Sequence, residues 1–284
     1  MGIKQLVKRV MPGFIKSKAR AVMQSKGLKS VSRLEFITDH LRAVDDLDLN
    51  EIFNASDNEN LWKDAAKEIE IFNIPDATGG VNPGDRRALF YLIAALKPLR
   101  VLEVGTHIGA STIHIASALH HGQKQGKGDF KFTTLDIRDV NSTETKPWLE
   151  FGTKLSPIEM IKKLNYSPFV TFLTGKSLEY LQRNDQKFDF IFLDGDHAAK
   201  TVYQEVAAAL KCLHPNGVIL LHDFFPDLKP LWSNGVVLRG PYMAVERMLG
   251  EGADLEVVPL GSLPWFTKLN SNITSLALVA RKKA

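Results

Sequence analysis

Apolar residues in this chain follow two rhythms. Short runs rich in Val, Leu, Ile and Phe occur at Arg100–Val104, Lys131–Asp136, Val170–Leu173, Phe188–Asp194 and Gly217–His222. Their length and β-branched or aromatic content predict strands, whereas the spacers carry apolar positions three or four apart. Those spacers predict helices near 110–120, 156–164, 177–183, 197–213 and 241–250. Alternation of this kind implies a mostly parallel sheet covered by helices on both faces. Leu255–Leu260 and Ile273–Val279, divided by a loop with Gly, Pro and Asn, read as a terminal antiparallel hairpin and bring the sheet to seven strands.

Upstream the rhythm is helical. Ile3, Leu6, Val7, Val10 and Met11 share one helical face, with Lys4, Lys8 and Arg9 between them. Pro12-Gly13 interrupts the pattern, and Phe14, Ile15, Ala19, Val22 and Met23 resume it. A third helical stretch spans Val31 to Asn73, and Gly79-Gly80-Val81-Asn82-Pro83-Gly84 then marks a loop before a helix from Asp85 to Leu96. The expected organisation is a helical, basic extension over residues 1–78 and one doubly wound α/β domain over 79–284.

With 284 residues and 44% hydrophobic content the chain can bury a full core, which excludes disorder as its default state. It has no apolar run of about 18 residues and no apolar stretch ending in a cleavage site, so it is read as cytoplasmic. The single cysteine, Cys212, falls in an apolar helical pattern and reads as a small buried hydrophobe. The net charge of +4 conceals an asymmetry: residues 1–33 hold nine Lys/Arg and no acid, leaving 27 basic against 32 acidic residues beyond them. The main domain is therefore mildly acidic, which argues against a nucleic-acid partner, and no Asn/Asp-Pro-Pro-Tyr base-flipping sequence is present. A basic amphipathic segment at residues 1–33 can rest on an anionic membrane surface or dock a partner. Packing on its own domain or a dimer mate is the plainer expectation, and a homo-oligomer is the expected assembly.

Val101-Leu102-Glu103-Val104-Gly105-Thr106-His107-Ile108-Gly109-Ala110-Ser111 reads as a buried strand passing through a glycine turn into a helix. Doubly wound sheets bind ligands beyond the carboxyl end of such a strand. A dinucleotide site would show G-x-G-x-x-G with bare backbone against a pyrophosphate. Here the spacing is E-x-G-x-x-x-G, and His107 fills a place where a phosphate loop wants no side chain. S-adenosylmethionine has no phosphate but carries an α-amino group and a sulfonium, and Glu103 suits that cationic ligand. Asp136, closing the second strand, stands where an acid accepts both ribose hydroxyls of a nucleoside, which fits NAD equally well.

From about Gly79 to its end the chain resembles the class I methyltransferases, in particular the catechol-type and macrolide-sugar O-methyltransferases. Leu102–Ser111 is similar to the family's first motif, which implies that Glu103, Gly105, His107, Gly109 and Ser111 hold the methionine end of the cofactor. Asp136 matches the ribose-binding acid, and Ser177, in Thr174-Gly175-Lys176-Ser177, matches the contact to the adenine region. Phe188–His197 and Leu213–Phe224 resemble the fourth and fifth strands of metal-dependent members. That resemblance implies Mg²⁺ ligands at Asp194 and Asp223, with Asp194 also at the cofactor, and a general base at His197. The chain departs from the pattern twice. The catechol type has Asn after the second Asp, where Phe224 stands, and the sugar type has an acid before it, where His222 stands. The third protein ligand is therefore absent or replaced.

The reaction implied is O-methylation of a hydroxyl on a sugar or small metabolite, with His197 removing the proton and carboxylates at two strand ends holding a hard cation. Candidate acceptor walls are the insertion from Arg138 to Leu155, with Trp148 and Phe151, and the stretch from Phe224 to Tyr242, with Trp232. Two alternatives stand beside it. A NAD-dependent oxidoreductase would want glycine at His107 and no acid at Glu103. A catalytically inactive methyltransferase fold serving as a docking module would have no need of Glu103, Asp136, Asp194, His197 and Asp223 together.

Overall fold

The computed structural model describes residues 13–76, 80–122 and 129–282. Its strands are β1 (Arg100–Val104), β2 (Lys131–Asp136), β3 (Val170–Thr174), β4 (Phe188–Leu193), β5 (Leu213–Leu221), β6 (Glu256–Pro259) and β7 (Ala277–Ala280). Helices among the described residues are α1 (Gly13–Lys29), α2 (Leu49–Asn54), α3 (Ser56–Glu70), α4 (Pro83–Leu96) and α5 (Ala110–Gly122). They continue with α6 (Pro157–Lys163), α7 (Ser177–Arg183), α8 (Ala199–Lys211) and α9 (Gly240–Gly250). The strands form one sheet in the order β3-β2-β1-β4-β5-β7-β6. β1 to β5 run parallel, and β7 is antiparallel to both β5 and β6, so the expected doubly wound sheet with a C-terminal antiparallel hairpin is the one observed. The order reverses at β1, between β2 and β4, and the crevice beyond that point is where such sheets take ligands.

Period-two alternation within the strands builds two cores. Leu102, Val104, Ile191, Leu193, Ile219 and Leu221 pack on one face against Val202, Tyr203 and Val206 of α8. Val101, Phe132, Phe190, Phe192 and Leu220 pack on the other against Leu89 and Phe90 of α4 and Ile115 and Leu119 of α5. Both faces are covered, which is why these strands read as near-continuous apolar runs. Cys212 is buried, as its pattern implied.

The stretch expected to be helical from Val31 onward departs from expectation over residues 31–43. It has neither helix nor strand of its own, turns at Asp39-His40, and then Leu41 and Ala43 bridge Gly217 and Arg281. Arg42 N donates to Gly217 O at 3.0 Å and Arg281 N to Arg42 O at 2.9 Å, so Gly217 within β5 and Arg281 just past β7 satisfy its backbone and a helix is not needed. Helical structure begins at α2. In α1, Leu28 is buried in the α8 core, while Val22 and Met23, expected on the apolar face, are 53% and 73% exposed. Arg247 of α9 donates to Leu28 O and, at 2.9 Å, to Val31 O, which fastens this end of the extension to its own domain. The basic amphipathic pattern of Ile3, Leu6, Val7, Val10 and Met11 lies outside the described residues, as does Gly79. No described helix is long and apolar enough to cross a membrane.

Candidate functional site

The turn after β1 is left-handed at Gly105 (φ 103°), His107 (φ 49°) and Gly109 (φ 78°). At Gly105 a Cβ would stand 2.2 Å from Asp194 O, so the residue must lack one for β1 and β4 to end side by side. Gly105, His107, Asp136, Ser177 and Asp194 line one cavity of about 390 Å³ at these strand ends. Five of the expected cofactor contacts thus share one wall. Asp136 Oδ2 accepts from His107 N at 2.8 Å and Oδ1 from Arg138 N at 2.9 Å, which fixes the carboxylate at the tip of β2. Ser177 opens α7 and donates to the buried Glu205, whose carboxyl is pushed up to about 7, chiefly by burial.

Glu103, Gly109 and Ser111 stand behind that wall instead of in it. Glu103 is fully buried, and its Oε2 accepts from the Thr112 and Thr134 hydroxyls, each at 2.6 Å. Burial pushes its carboxyl up to about 7 against the hydrogen bonds of Ser111, Thr112 and Thr134. Gly109 lets the turn seat on α6, since a Cβ there would lie 2.8 Å from Pro157 Cβ. Two buried polar atoms beside the turn, Glu103 Oε1 and His107 Nδ1, have no hydrogen-bond partner among the described residues. Glu103, expected to face the cationic end of a ligand, is instead buried behind the turn. It is Asp136 on β2 and Asp194 after β4 that stand beside bare glycine backbone, where they suit a nucleoside with a cationic end and would repel a pyrophosphate.

One strand further along, Asp194, His197 and Asp223 each bring a ligand-capable atom within 4.8 Å of the others. Asp194 follows β4, with its N–H bonded to Val104 O at 2.9 Å. Asp223 follows β5 in the left-handed region (φ 54°), a strained choice for Asp of the kind found at functional sites. His197 precedes α8, and its Nε2 is 3.3 Å from Asp223 Oδ2 and 3.7 Å from Asp194 Oδ1. Gly240 at the start of α9 lies against it, where a Cβ would sit 1.7 Å from His197 O.

Sequence reasoning missed Asp85 and treated His222 only as a departure. His222 is buried, with Nδ1 2.7 Å from Asp194 Oδ1 and Nε2 3.3 Å from Asp85 Oδ2. Burial alone would lower its pKa, but the charges of Asp194 and Asp223 and the bonds to Asp194 and Asp85 hold it well above the usual imidazole range. Asp85 lies in the first turn of α4, where the helix dipole favours an anion. Asn82 caps that helix, accepting from Asp85 N at 3.0 Å and donating to Asp85 Oδ2 at 2.6 Å. The signal was present in Asn82-Pro83-Gly84-Asp85, but a capping sequence accounts for it without any function.

Two larger cavities open on this cluster. One, of about 790 Å³, is lined by Asn82, His222, Asp223, Phe225, Trp232 and Lys268 among others. The other, of about 910 Å³, includes His197, Asp196, Val236, Leu238 and Arg239. The expected wall around Trp232 is therefore in place, with Lys268 Nζ 3.3 Å from the centroid of its ring. In the other candidate wall Trp148 is buried, and Phe151 packs on His107 with ring centroids 4.3 Å apart. That insertion thus backs the cavity of about 390 Å³.

Residues 102–224 match the family model described as a methyltransferase domain. Among solved structures, the chain is similar to the O-methyltransferase TomG of Streptomyces achromogenes, involved in tomaymycin synthesis and seen in complex with SAM. That pair has a TM-score of 0.52 and 18% identity over 84% of this chain and 100% of that one. An O-methyltransferase from Bacillus cereus in complex with SAH gives 0.52 and 21% over 81% and 92%. The SAH-bound methyltransferase PaMTH1 of Podospora anserina gives 0.50 and 17% over 96% and 99%. The match over 102–224 and the sheet order together give this chain a methyltransferase domain in the fold of the S-adenosylmethionine-dependent O-methyltransferases it is similar to.

Proposed function

We propose that the chain methylates a hydroxyl oxygen of a sugar or small metabolite. The observation that supports this best is the meeting of Asp194, His197 and Asp223 at the ends of β4 and β5, with Asp194 also lining the cofactor cavity. Gly105, His107, Asp136 and Ser177 would hold S-adenosylmethionine, which supplies an electrophilic methyl on a sulfonium. His197 Nε2 takes the proton of the acceptor hydroxyl as its oxygen becomes the nucleophile, a step worth about 10²–10⁴-fold for a positioned base. His197 is suited to it, being the most exposed of the three residues and open to the cavity of about 910 Å³. Asp194 and Asp223 offer carboxylate oxygens to a divalent cation, whose contribution when bound is Lewis acidity towards that hydroxyl. Positioning of donor and acceptor across the shared wall supplies much of the remaining rate.

His197→Ala is expected to lower kcat about 10²–10⁴-fold with affinity for S-adenosylhomocysteine unchanged by calorimetry, because base and cofactor contacts sit on different strand ends. Full turnover in that variant would remove His197 from the reaction.

A further inference from the structure

Four donor atoms converge where β4 and β5 end. Asp194 Oδ1 and Asp223 Oδ2 are each faced by His197 Nε2, at 3.7 and 3.3 Å, and by His222 Nδ1, at 2.7 and 3.7 Å. Only His222–Asp194 has the length of a tight hydrogen bond, and the other three separations are 3.3 to 3.7 Å, so both imidazoles face the same two carboxylate oxygens across one shared space.

The two imidazoles differ in what stands behind them. His222 is buried, and its far nitrogen, Nε2, meets the carboxylate of Asp85. Asp85 is itself fully buried and held by Asn82, and its Oδ1 has no hydrogen-bond partner among the described residues. A carboxylate on the far nitrogen is the arrangement that fixes the tautomer and ring plane of a metal-ligating histidine. His197 has no such brace: it is 28% exposed, and its second ring nitrogen makes no hydrogen bond among the described residues. One histidine is built to stay still, and the other is left free to accept a proton.

Charge argues in the same direction. Asp85, Asp194 and Asp223 set three carboxylates around one imidazole. Lys268 is the ammonium that Asp223 and Asp85 also face, and one ammonium leaves carboxylates over in a largely buried place, so the cluster suits a further cation.

We propose that His222 is the third protein ligand, with Asp194 and Asp223, of a divalent-cation centre braced by Asp85, and that its nitrogen donor turns the centre from Mg²⁺ towards a first-row transition ion. Mg²⁺ keeps to oxygen donors in near-octahedral sites, whereas imidazole suits iron, nickel and zinc. His222 thereby takes the place that an acid holds in the sugar-type pattern, and His197 keeps the role of base. The proposal rests on the reading of the site given above.

The test is a titration of the metal-stripped, full-length protein with Co²⁺, a member of the same series that reports its ligands through visible absorption, with Mg²⁺ as competitor. The expected result is one Co²⁺ per chain that about a 100-fold excess of Mg²⁺ does not displace. Asp85→Asn is expected to weaken Co²⁺ binding about 10- to 100-fold. His222→Glu, which supplies oxygen in place of nitrogen, is expected to move the absorption bands and let Mg²⁺ compete. S-adenosylhomocysteine affinity, measured on the same samples, keeps the two readings apart. Its absence in the unsubstituted protein would sink the methyltransferase assignment while leaving the Co²⁺ result to stand alone. No Co²⁺ uptake by the unsubstituted protein, displacement by equimolar Mg²⁺, or a spectrum and affinity unchanged in both variants would each overturn the proposal. Should His222→Glu fail to fold, the competition in the unsubstituted protein and the Asp85→Asn affinity decide.

Discussion

Replacing Glu103 by Gln should change how stability depends on pH, by an amount that the site itself sets. The carboxyl of Glu103 is fully buried and pushed from 4.5 up to about 7, so folding disfavours its ionised form. Below about pH 4.5 it is protonated in both folded and unfolded chains and has no effect on the balance. Between 4.5 and 7 the folded chain holds a proton that the unfolded chain has released, so stability falls as pH rises, and above 7 the loss levels off. A shift of this size corresponds to about 3 kcal/mol at 1.36 kcal/mol per pH unit. Gln keeps an oxygen for the Thr112 and Thr134 hydroxyls but cannot ionise, so Glu103→Gln lacks this slope. Urea denaturation of both proteins at pH 5 and pH 8 isolates the effect, because Glu205 and His222 titrate alike in the two. The expected result is a variant that gains about 2–3 kcal/mol on the parent between those pH values. Parallel pH dependences would refute the argument and place the Glu103 carboxyl in its ordinary range.

Gly105→Ala is expected to abolish S-adenosylhomocysteine binding by calorimetry, since its Cβ would meet Asp194 O at 2.2 Å and its φ of 103° is hostile to a side chain. Native-like affinity would show that the turn can move. Leu28→Ala is expected to cost about 2–3 kcal/mol by denaturant titration with cofactor affinity unchanged, because Leu28 is buried far along α1 in the α8 core. A change under about 0.5 kcal/mol would mean that the extension does not depend on this contact.

The parallel strands were legible because burial on both faces writes itself into sequence as short apolar runs, and the glycine turn because a strand must end before a helix begins. Residues 31–43 were not. From His40 to Val44 the backbone partners are Gly217, within β5, and Arg281, just past β7, and no local periodicity can announce a bond made over such a distance. The site divides in the same way. Asp194, His197 and Asp223 could be found because Phe188–His197 and Leu213–Phe224 resemble the fourth and fifth strands of metal-dependent O-methyltransferases with the residues that follow them. Asp85 could not, since it meets His222 across 137 positions and its local sequence is fully explained by a helix cap. Trp148 misled for the opposite reason: an aromatic in a long insertion reads as a pocket wall, whereas this one is buried.

The same geometry ties the two halves of the site together through one residue. Asp194 donates its N–H to Val104 O, presents its carbonyl to the bare face of Gly105, and sends its carboxylate to His222. Its backbone therefore fixes the cofactor turn while its side chain belongs to the acid and imidazole cluster. The two halves are therefore in direct contact, with no room for a single added carbon at Gly105. Such close contact is what a displacement between two bound molecules requires, since the rate of an in-line transfer depends on holding donor and acceptor in register. It also explains why glycine and acid occur at the ends of neighbouring strands: the first gives the second its place.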